Sequence, residues 1–318
     1  MKHNIICVVG PTASGKTKLA VELAKAYNGE VLSCDSMQLY KRMDIGTAKP
    51  TAEEMQGIPH HMIDILEPDE AFSVGRYVEL ADPILQDILA RGKTCVICGG
   101  TGLYVDSLIA GRSFAPFPQT GRREELEALA EAQGIEAVIA MLREFDPDSA
   151  ARLHPSDKRR IIRAAEVYLE TGKTITQHNL ETQAIPPKYE ALWIGLDFQD
   201  RAELYDRIDR RVELMEQEGL WQEIEALLAE GIPANATSLQ AIGYKEPMAA
   251  LRGEITKAEA IALIQQESRR YAKRQLTWFR KNKQIHWIIN KEPVSFDKIW
   301  EEAEAVMLNA ELRDPLRG

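Results

Sequence analysis

Gly10-Pro11-Thr12-Ala13-Ser14-Gly15-Lys16-Thr17 fits the pattern G-x-x-x-x-G-K-[ST], and no other stretch restricts the fold of this 318-residue chain so tightly. The octet lies between the β-branched run Ile5-Ile6-Cys7-Val8-Val9 and the segment 18–25, whose apolar residues recur at helical spacing. A strand that turns through glycine into a helix points backbone N–H groups into the turn, and the helix N-terminus adds partial positive charge. Both favour phosphate oxygens. Residues 10–17 are therefore read as a diphosphate- or nucleotide-binding loop, with Lys16 at the terminal phosphates and the Thr17 hydroxyl available to Mg²⁺.

Further strand candidates at 30–34, 94–98, 192–197 and 285–289 are each followed by helical sequence. Strands alternating with helices predict an α/β fold built on a parallel sheet covered on both faces. In such sheets the ligand crevice lies beyond the carboxyl ends of the strands. Residues 10–17, Asp35 and Gly99-Gly100-Thr101-Gly102 all fall at that edge. Asp35 is either a general base beside a phosphate leaving group or a helix cap, and the sequence leaves both open. Thr101 either closes a glycine turn or belongs to the site. Arg207 sits among alternating charges, the usual mark of a solvated helix face. No Asn-Lys-x-Asp signature is present, and the strand at 94–98 runs into glycine rather than a magnesium-binding Asp. A GTPase or motor ATPase is disfavoured.

Between about 113 and 190 the pattern changes. The Pro-containing stretch 114–121 and Ile185-Pro186-Pro187 bracket helical sequence at 122–133, 134–145 and 157–171, with Pro147 and Pro155 as expected breaks. The chain is thus divided into a catalytic core, 1–115 and 191–318, and a helical insertion, 116–190. Helices are expected near 201–218, 221–229 and 256–281, with a disordered tail at 311–318.

A net charge of −10 opposes indiscriminate nucleic-acid binding, but two clusters run against it. One is Lys158-Arg159-Arg160-Ile161-Ile162-Arg163. The other, 269–283, carries seven Lys or Arg and no acid, interleaved with Tyr271, Trp278 and Phe279, and reads as an RNA backbone footprint. No apolar run is long enough for a bilayer, and the first strand begins too early for a secretory leader. Cys7, Cys34, Cys95 and Cys98 all lie in or beside apolar runs, which suits a reducing cytosol. A cytoplasmic protein without membrane contact is expected. Cys95-x-x-Cys98 lies in strand sequence that puts its cysteines on opposite faces, against a zinc site. His60-His61 beside Asp64 is read as packing or turn chemistry rather than a metal site.

Taken in order, these segments resemble the tRNA dimethylallyltransferase family in its bacterial form. The resemblance includes Asp35-Ser36-Met37-Gln38-Leu39-Tyr40, Met43-Asp-Ile-Gly-Thr-Ala-Lys-Pro50, Pro59-His-His-Met-Ile-Asp64 and Gly99-Gly-Thr-Gly-Leu-Tyr104. It continues through 146–172, Ala241-Ile-Gly-Tyr-Lys245 and Ala272-Lys-Arg-Gln-Leu-Thr-Trp278. It implies a kinase-like P-loop domain with a helical insertion that contacts the tRNA anticodon stem-loop. The implied reaction moves a dimethylallyl group from dimethylallyl diphosphate to N6 of the adenosine 3′ to the anticodon, in tRNAs reading codons that begin with U. By the family pattern Asp35 accepts the N6 proton, Thr101 lies at the target base and Arg207 joins 10–17 on the diphosphate, with Mg²⁺ as cofactor. Asp35, Ser36, Met37, Gln38, Thr101, Arg123 and the run Arg159, Arg160, Ile161, Ile162 and Arg163 would touch tRNA. A monomer is expected. An adenylate isopentenyltransferase, a small-molecule P-loop kinase and a non-enzymatic RNA-binding switch stay as rival readings.

Overall fold

A computed structural model describes residues 4–112, 120–183, 186–291 and 294–312. It separates into two compact units, Met1–Gly111 with Lys188–Gly318, and Arg112–Pro187. The proline-containing stretch expected as a linker falls largely on 113–119, and the expected disordered tail largely on 313–318, both outside the described residues.

The first unit is built on six parallel strands: β1 (Ile5–Val9), β2 (Gly29–Ser33), β3 (His60–His61), β4 (Thr94–Gly99), β5 (Leu192–Phe198) and β6 (His286–Asn290). Their order is β3-β2-β4-β1-β5-β6. β1 lies in the interior, with Val9 opposite Gly99 on one side and Gly195 on the other. All its residues are buried, which accounts for an unbroken apolar run rather than an alternating one. One core joins Ile6, Val8, Val96 and Ile194 to Leu19 and Leu23 of the helix Lys16–Ala26 and to Ile299 and Met307 of the helix Phe296–Leu312. The helix Val74–Ala90 packs on β2 and β4.

β3 gives His60-His61 a structural role. The pair forms an edge strand on β2, and His61 Nε2 lies 2.8 Å from Glu30 Oε2. Glu30 is buried at the base of the sheet, where Arg91 grips it with two nitrogens at 2.5 and 2.8 Å and Lys93 adds a second cation at 2.7 Å. The Arg91 guanidinium, helped by Lys93 and His61, holds that carboxyl far below the usual range against the opposing effect of burial.

The second unit consists of the helices Arg122–Gln133, Ile135–Phe145, Pro147–Arg152, Lys158–Thr171 and Ile175–Gln183. The break expected at Pro147 is present: one helix ends at Phe145 and Pro147 begins the next. It occupies the first helical position, where its missing N–H costs nothing, and Asp146 before it accepts from Ser149 N at 3.1 Å. Leu126, Val138, Ile139, Ile161 and Ile162 form the core of this unit. No helix among the described residues is long and apolar enough to cross a membrane.

Candidate functional site

The loop after β1 is shaped by what it must avoid. Gly10 has φ +143°, and a Cβ there would press on the Leu196 carbonyl oxygen of β5, so only glycine lets the chain leave the sheet on this path. Ala13 and Gly15 are also at positive φ, and the helix Lys16–Ala26 starts with neither a side-chain cap nor an acid in its first turn. Its leading N–H groups and the positive end of its dipole therefore remain for an anion.

Lys16 folds back so that Nζ donates to Pro11 O at 2.6 Å. Burial brings its ammonium down to about 8, and the nearby Arg211 cation pushes the same way. From the helix Arg201–Glu218, Arg207 Nε donates to Ala13 O at 3.1 Å and its guanidinium lies over the Phe198 ring at 5.7 Å. Arg211, four residues on and so on the same helix face, donates to the Thr12 hydroxyl. Burial lowers it to about 10. Arg207 is thus not part of a merely solvated face.

Asp35 caps, but not a helix. Its Oδ1 accepts from Met37 N at 2.8 Å and Gln38 N at 3.3 Å, which fixes a turn after β2. Thr101 Oγ1 accepts from Ser36 N at 3.1 Å and donates to Ser36 Oγ at 3.4 Å, so the loops after β2 and β4 are tied together. Gln38 donates to Ala48 O at 3.0 Å and Thr47 O at 3.4 Å. The loop at 44–46 is itself organised by Glu223, whose carboxylate accepts from three consecutive backbone N–H groups at 2.8, 2.7 and 3.1 Å and from the Tyr244 hydroxyl at 2.6 Å. Loops 10–17, 35–38 and 99–102, expected at one edge of the sheet, all follow the carboxyl ends of their strands.

The long helix Lys257–Phe279 supplies residues that sequence reasoning passed over. Gln275 is 5% exposed; its Oε1 accepts from Thr12 N at 2.8 Å and its Nε2 donates to Gly100 O at 3.1 Å. A Cβ at Gly100 would collide with that amide. Burial, reinforced by the Asp35 carboxylate and opposed by the Thr101 and Gln275 side chains, raises the Tyr271 hydroxyl to about 12. Trp278 Nε1 donates to Asp106 at 2.7 Å. This changes the expected footprint at 269–283: Arg269 is paired with Asp209, Arg270 with Glu267 and Arg280 with Asp197. Glu267 lies just before the basic stretch on the same helix, but Asp209 and Asp197 come from elsewhere in the chain, where a local scan for opposite charge does not look. Arg211 had a readable signal in its i, i+4 relation to Arg207; Gln275 had none beyond its place inside a quoted motif.

In the helical unit, Arg123, Arg152, Arg159, Arg160 and Arg163 line one cavity of about 400 Å³. Ile161 and Ile162, expected beside them at RNA, are buried at 0% and 6% exposure. Their side chains anchor the helix Lys158–Thr171 and leave Arg159, Arg160 and Arg163 exposed. Arg163 pairs with Glu166 at 2.9 Å, Arg123 with Glu127 at 3.1 Å and Arg160 with Asp157 at 3.4 Å. Such exposed pairs contribute about 0–1 kcal/mol each, so phosphates can replace the carboxylates at little cost.

Among the described residues no three His, Cys, Asp or Glu side chains cluster to form a metal cage. Mg²⁺ serving a phosphate substrate keeps its waters and takes few protein ligands, so its binding does not require such a cage. The Thr17 hydroxyl, beside a small cavity also lined by Ser33 and Gln38, has the hard-oxygen chemistry for it.

The IPP transferase family profile matches residues 38–282, and an isopentenyl transferase profile matches 3–67. The tRNA dimethylallyltransferase of Thermoanaerobacter sp. (strain X514) is 47% identical over 301 residues, which is 94% of this chain and 96% of that protein. The full-length tRNA isopentenylpyrophosphate transferase of Bacillus halodurans superimposes with a TM-score of 0.72 at 44% identity, covering 98% of this chain and 96% of that one. A eukaryotic dimethylallyltransferase acting on tRNA superimposes with a TM-score of 0.81 at 28% identity, covering 98% and 80% respectively.

Proposed function

This chain belongs to the tRNA dimethylallyltransferase (IPP transferase) family and has its kinase-like P-loop fold, and on that premise we propose how its residues divide the reaction. It transfers a dimethylallyl group from dimethylallyl diphosphate to N6 of the adenosine immediately 3′ of the anticodon, in tRNAs reading codons that begin with U. The allylic C–O bond breaks, its electron pair leaves with the diphosphate, and N6 bonds to the freed carbon. An exocyclic adenine nitrogen is a weak nucleophile because its lone pair is delocalised into the ring. A carboxylate in hydrogen-bond reach offsets this by taking the proton as the N–C bond forms. Asp35 is that base, and its Oδ1 is already oriented by two backbone N–H groups.

Charge developing on the leaving diphosphate meets the N–H groups of 10–17, Lys16 and Arg207, an arrangement set before the reaction starts. When bound at Thr17, Mg²⁺ would supply further neutralisation of the diphosphate charge. Thr101 and the 35–38 turn receive the adenine, which has to leave its stack; a single-stranded loop makes this cheaper than a duplex would. The basic cavity of the helical unit, with Arg123, Arg159, Arg160 and Arg163, grips the RNA backbone. The chain acts as a monomer in the cytoplasm, and its four buried free thiols are consistent with a reducing compartment. The observation that carries the reading is the hydrogen-bonded junction of Ser36 and Thr101 between Asp35 and the glycine loop.

Mass spectrometry of nucleosides tests it, using unmodified tRNA, Mg²⁺ and dimethylallyl diphosphate, with parallel reactions on AMP and with ATP in place of the prenyl donor. N6-dimethylallyladenosine confined to tRNAs with adenosine beside the anticodon is expected. Product on AMP and none on tRNA would instead identify an adenylate enzyme, and product on neither would sink the prenyl-transfer reading.

A further inference from the structure

Buried cations are normally paired, because an unpaired charge in a low-dielectric site is expensive. The arginines around Arg211 obey this rule. Even the exposed Arg210 has a carboxylate partner, Asp206 at 2.5 Å, and the partly buried Arg269 pairs with Asp209 of the same helix as Arg210. Arg211 does not. Among the described residues its recorded hydrogen bond is to the neutral Thr12 hydroxyl, and its Nε is shielded from solvent with no acceptor. Lys16 and Arg207 likewise rest on carbonyl oxygens, of Pro11 and Ala13, rather than on carboxylates. Three cations thus surround loop 10–15 without an ion pair, and Asp35 is near enough to favour the charged forms of Lys16 and Arg211. One carboxylate does not balance three cations. A diphosphate does.

We propose that Arg211 is a further catalytic residue, a guanidinium held by Thr12 on the phosphate loop so that it contacts the departing diphosphate beside Lys16 and Arg207. The proposal rests on the reading that this loop binds the donor's diphosphate. Before binding, Arg211 is held in reach by one neutral hydroxyl, which phosphate oxygens can outcompete because they add full negative charge and a bidentate geometry on the guanidinium. The planar fork can span two oxygens, which a lysine at this position would not do. As the allylic C–O bond breaks, negative charge grows on the oxygens that Arg211 faces, so its contribution rises towards the transition state.

The test compares wild type, Arg211→Gln, Arg211→Lys and Arg210→Gln by calorimetry with inorganic pyrophosphate and Mg²⁺, by steady-state prenylation of tRNA, and by thermal melting. Arg211→Gln should weaken pyrophosphate binding at least about tenfold and lower kcat by roughly 10²-fold, the scale for losing one preorganised oxyanion donor. Its tRNA affinity should be unchanged, and Arg211→Lys should recover part of both losses. Arg210→Gln should match wild type. A purely structural role would lower the melting temperature and leave pyrophosphate affinity intact, which overturns the proposal. If Arg211→Gln does not fold, Arg211→Lys decides alone: wild-type pyrophosphate affinity and kcat in it would also overturn it. If the wild-type protein itself fails to bind pyrophosphate, the reading of the loop falls first, so the two failures are distinguishable.

Discussion

On the proposed mechanism Asp35 carries two duties on one carboxylate. One oxygen anchors the turn by accepting from Met37 and Gln38, and the chemistry asks the group to take a proton. The substitutions Asn and Ala separate the two. Asp35→Asn keeps an acceptor oxygen for the turn and removes the base, so kcat should fall by roughly 10²–10⁴-fold while tRNA affinity holds. Asp35→Ala removes both and should weaken tRNA binding as well. Single-turnover prenylation beside filter binding reads the difference; an Asn variant that turns over like wild type would retire Asp35 as the base. The turn and the base were equally open in the sequence, because an Asp after a strand looks the same in either use. Only the hydrogen bonds show that the cap belongs to a turn and no helix follows.

At the scale of elements, the helix Lys257–Phe279 works as a staple. Gln275 joins the phosphate loop to the Gly99–Gly100 loop, and Tyr271 and Trp278 contact the next residues along. Replacing the amide with a thioether of similar shape, Gln275→Met, orphans the Thr12 N–H and the Gly100 carbonyl. Unfolding by urea should show a loss of about 1–3 kcal/mol, the cost of leaving buried polar groups unmet; an unmoved midpoint would mean the staple contributes nothing. Five of the six strands were legible from β-branched runs, because a strand buried on both faces needs unbroken apolar sequence. β3 was not, since two histidines satisfied by Glu30 and a backbone carbonyl carry no hydrophobic signal. The basic face of the long helix was only half legible: its cations were visible, and the acids that meet Arg269 and Arg280 lie 60 and 83 residues away in the chain.

For the molecule as a whole, the proposed division gives phosphate chemistry to the sheet unit and a grip on the RNA backbone to the helical unit, which would make the two separable by mutation. Lys158→Glu, Arg159→Glu and Arg160→Glu together should weaken tRNA affinity and flatten its dependence on salt, with pyrophosphate binding unchanged. An unaltered salt slope would remove the helical unit from the RNA interface. One detail at the boundary reaches further. A Cβ on Gly111 would touch the Lys188 side chain, and Tyr189 N donates to Ile109 O at 3.1 Å, so the chain leaves and re-enters the sheet unit at nearly one point. To the sheet, everything between is a closed loop, and the entropy of closing a loop grows only with the logarithm of its length, about 0.6 kcal/mol per doubling. Length at this junction is therefore thermodynamically cheap. The stretch between Gly111 and Lys188 can change in length at small cost while β1, β4 and β5 keep their register.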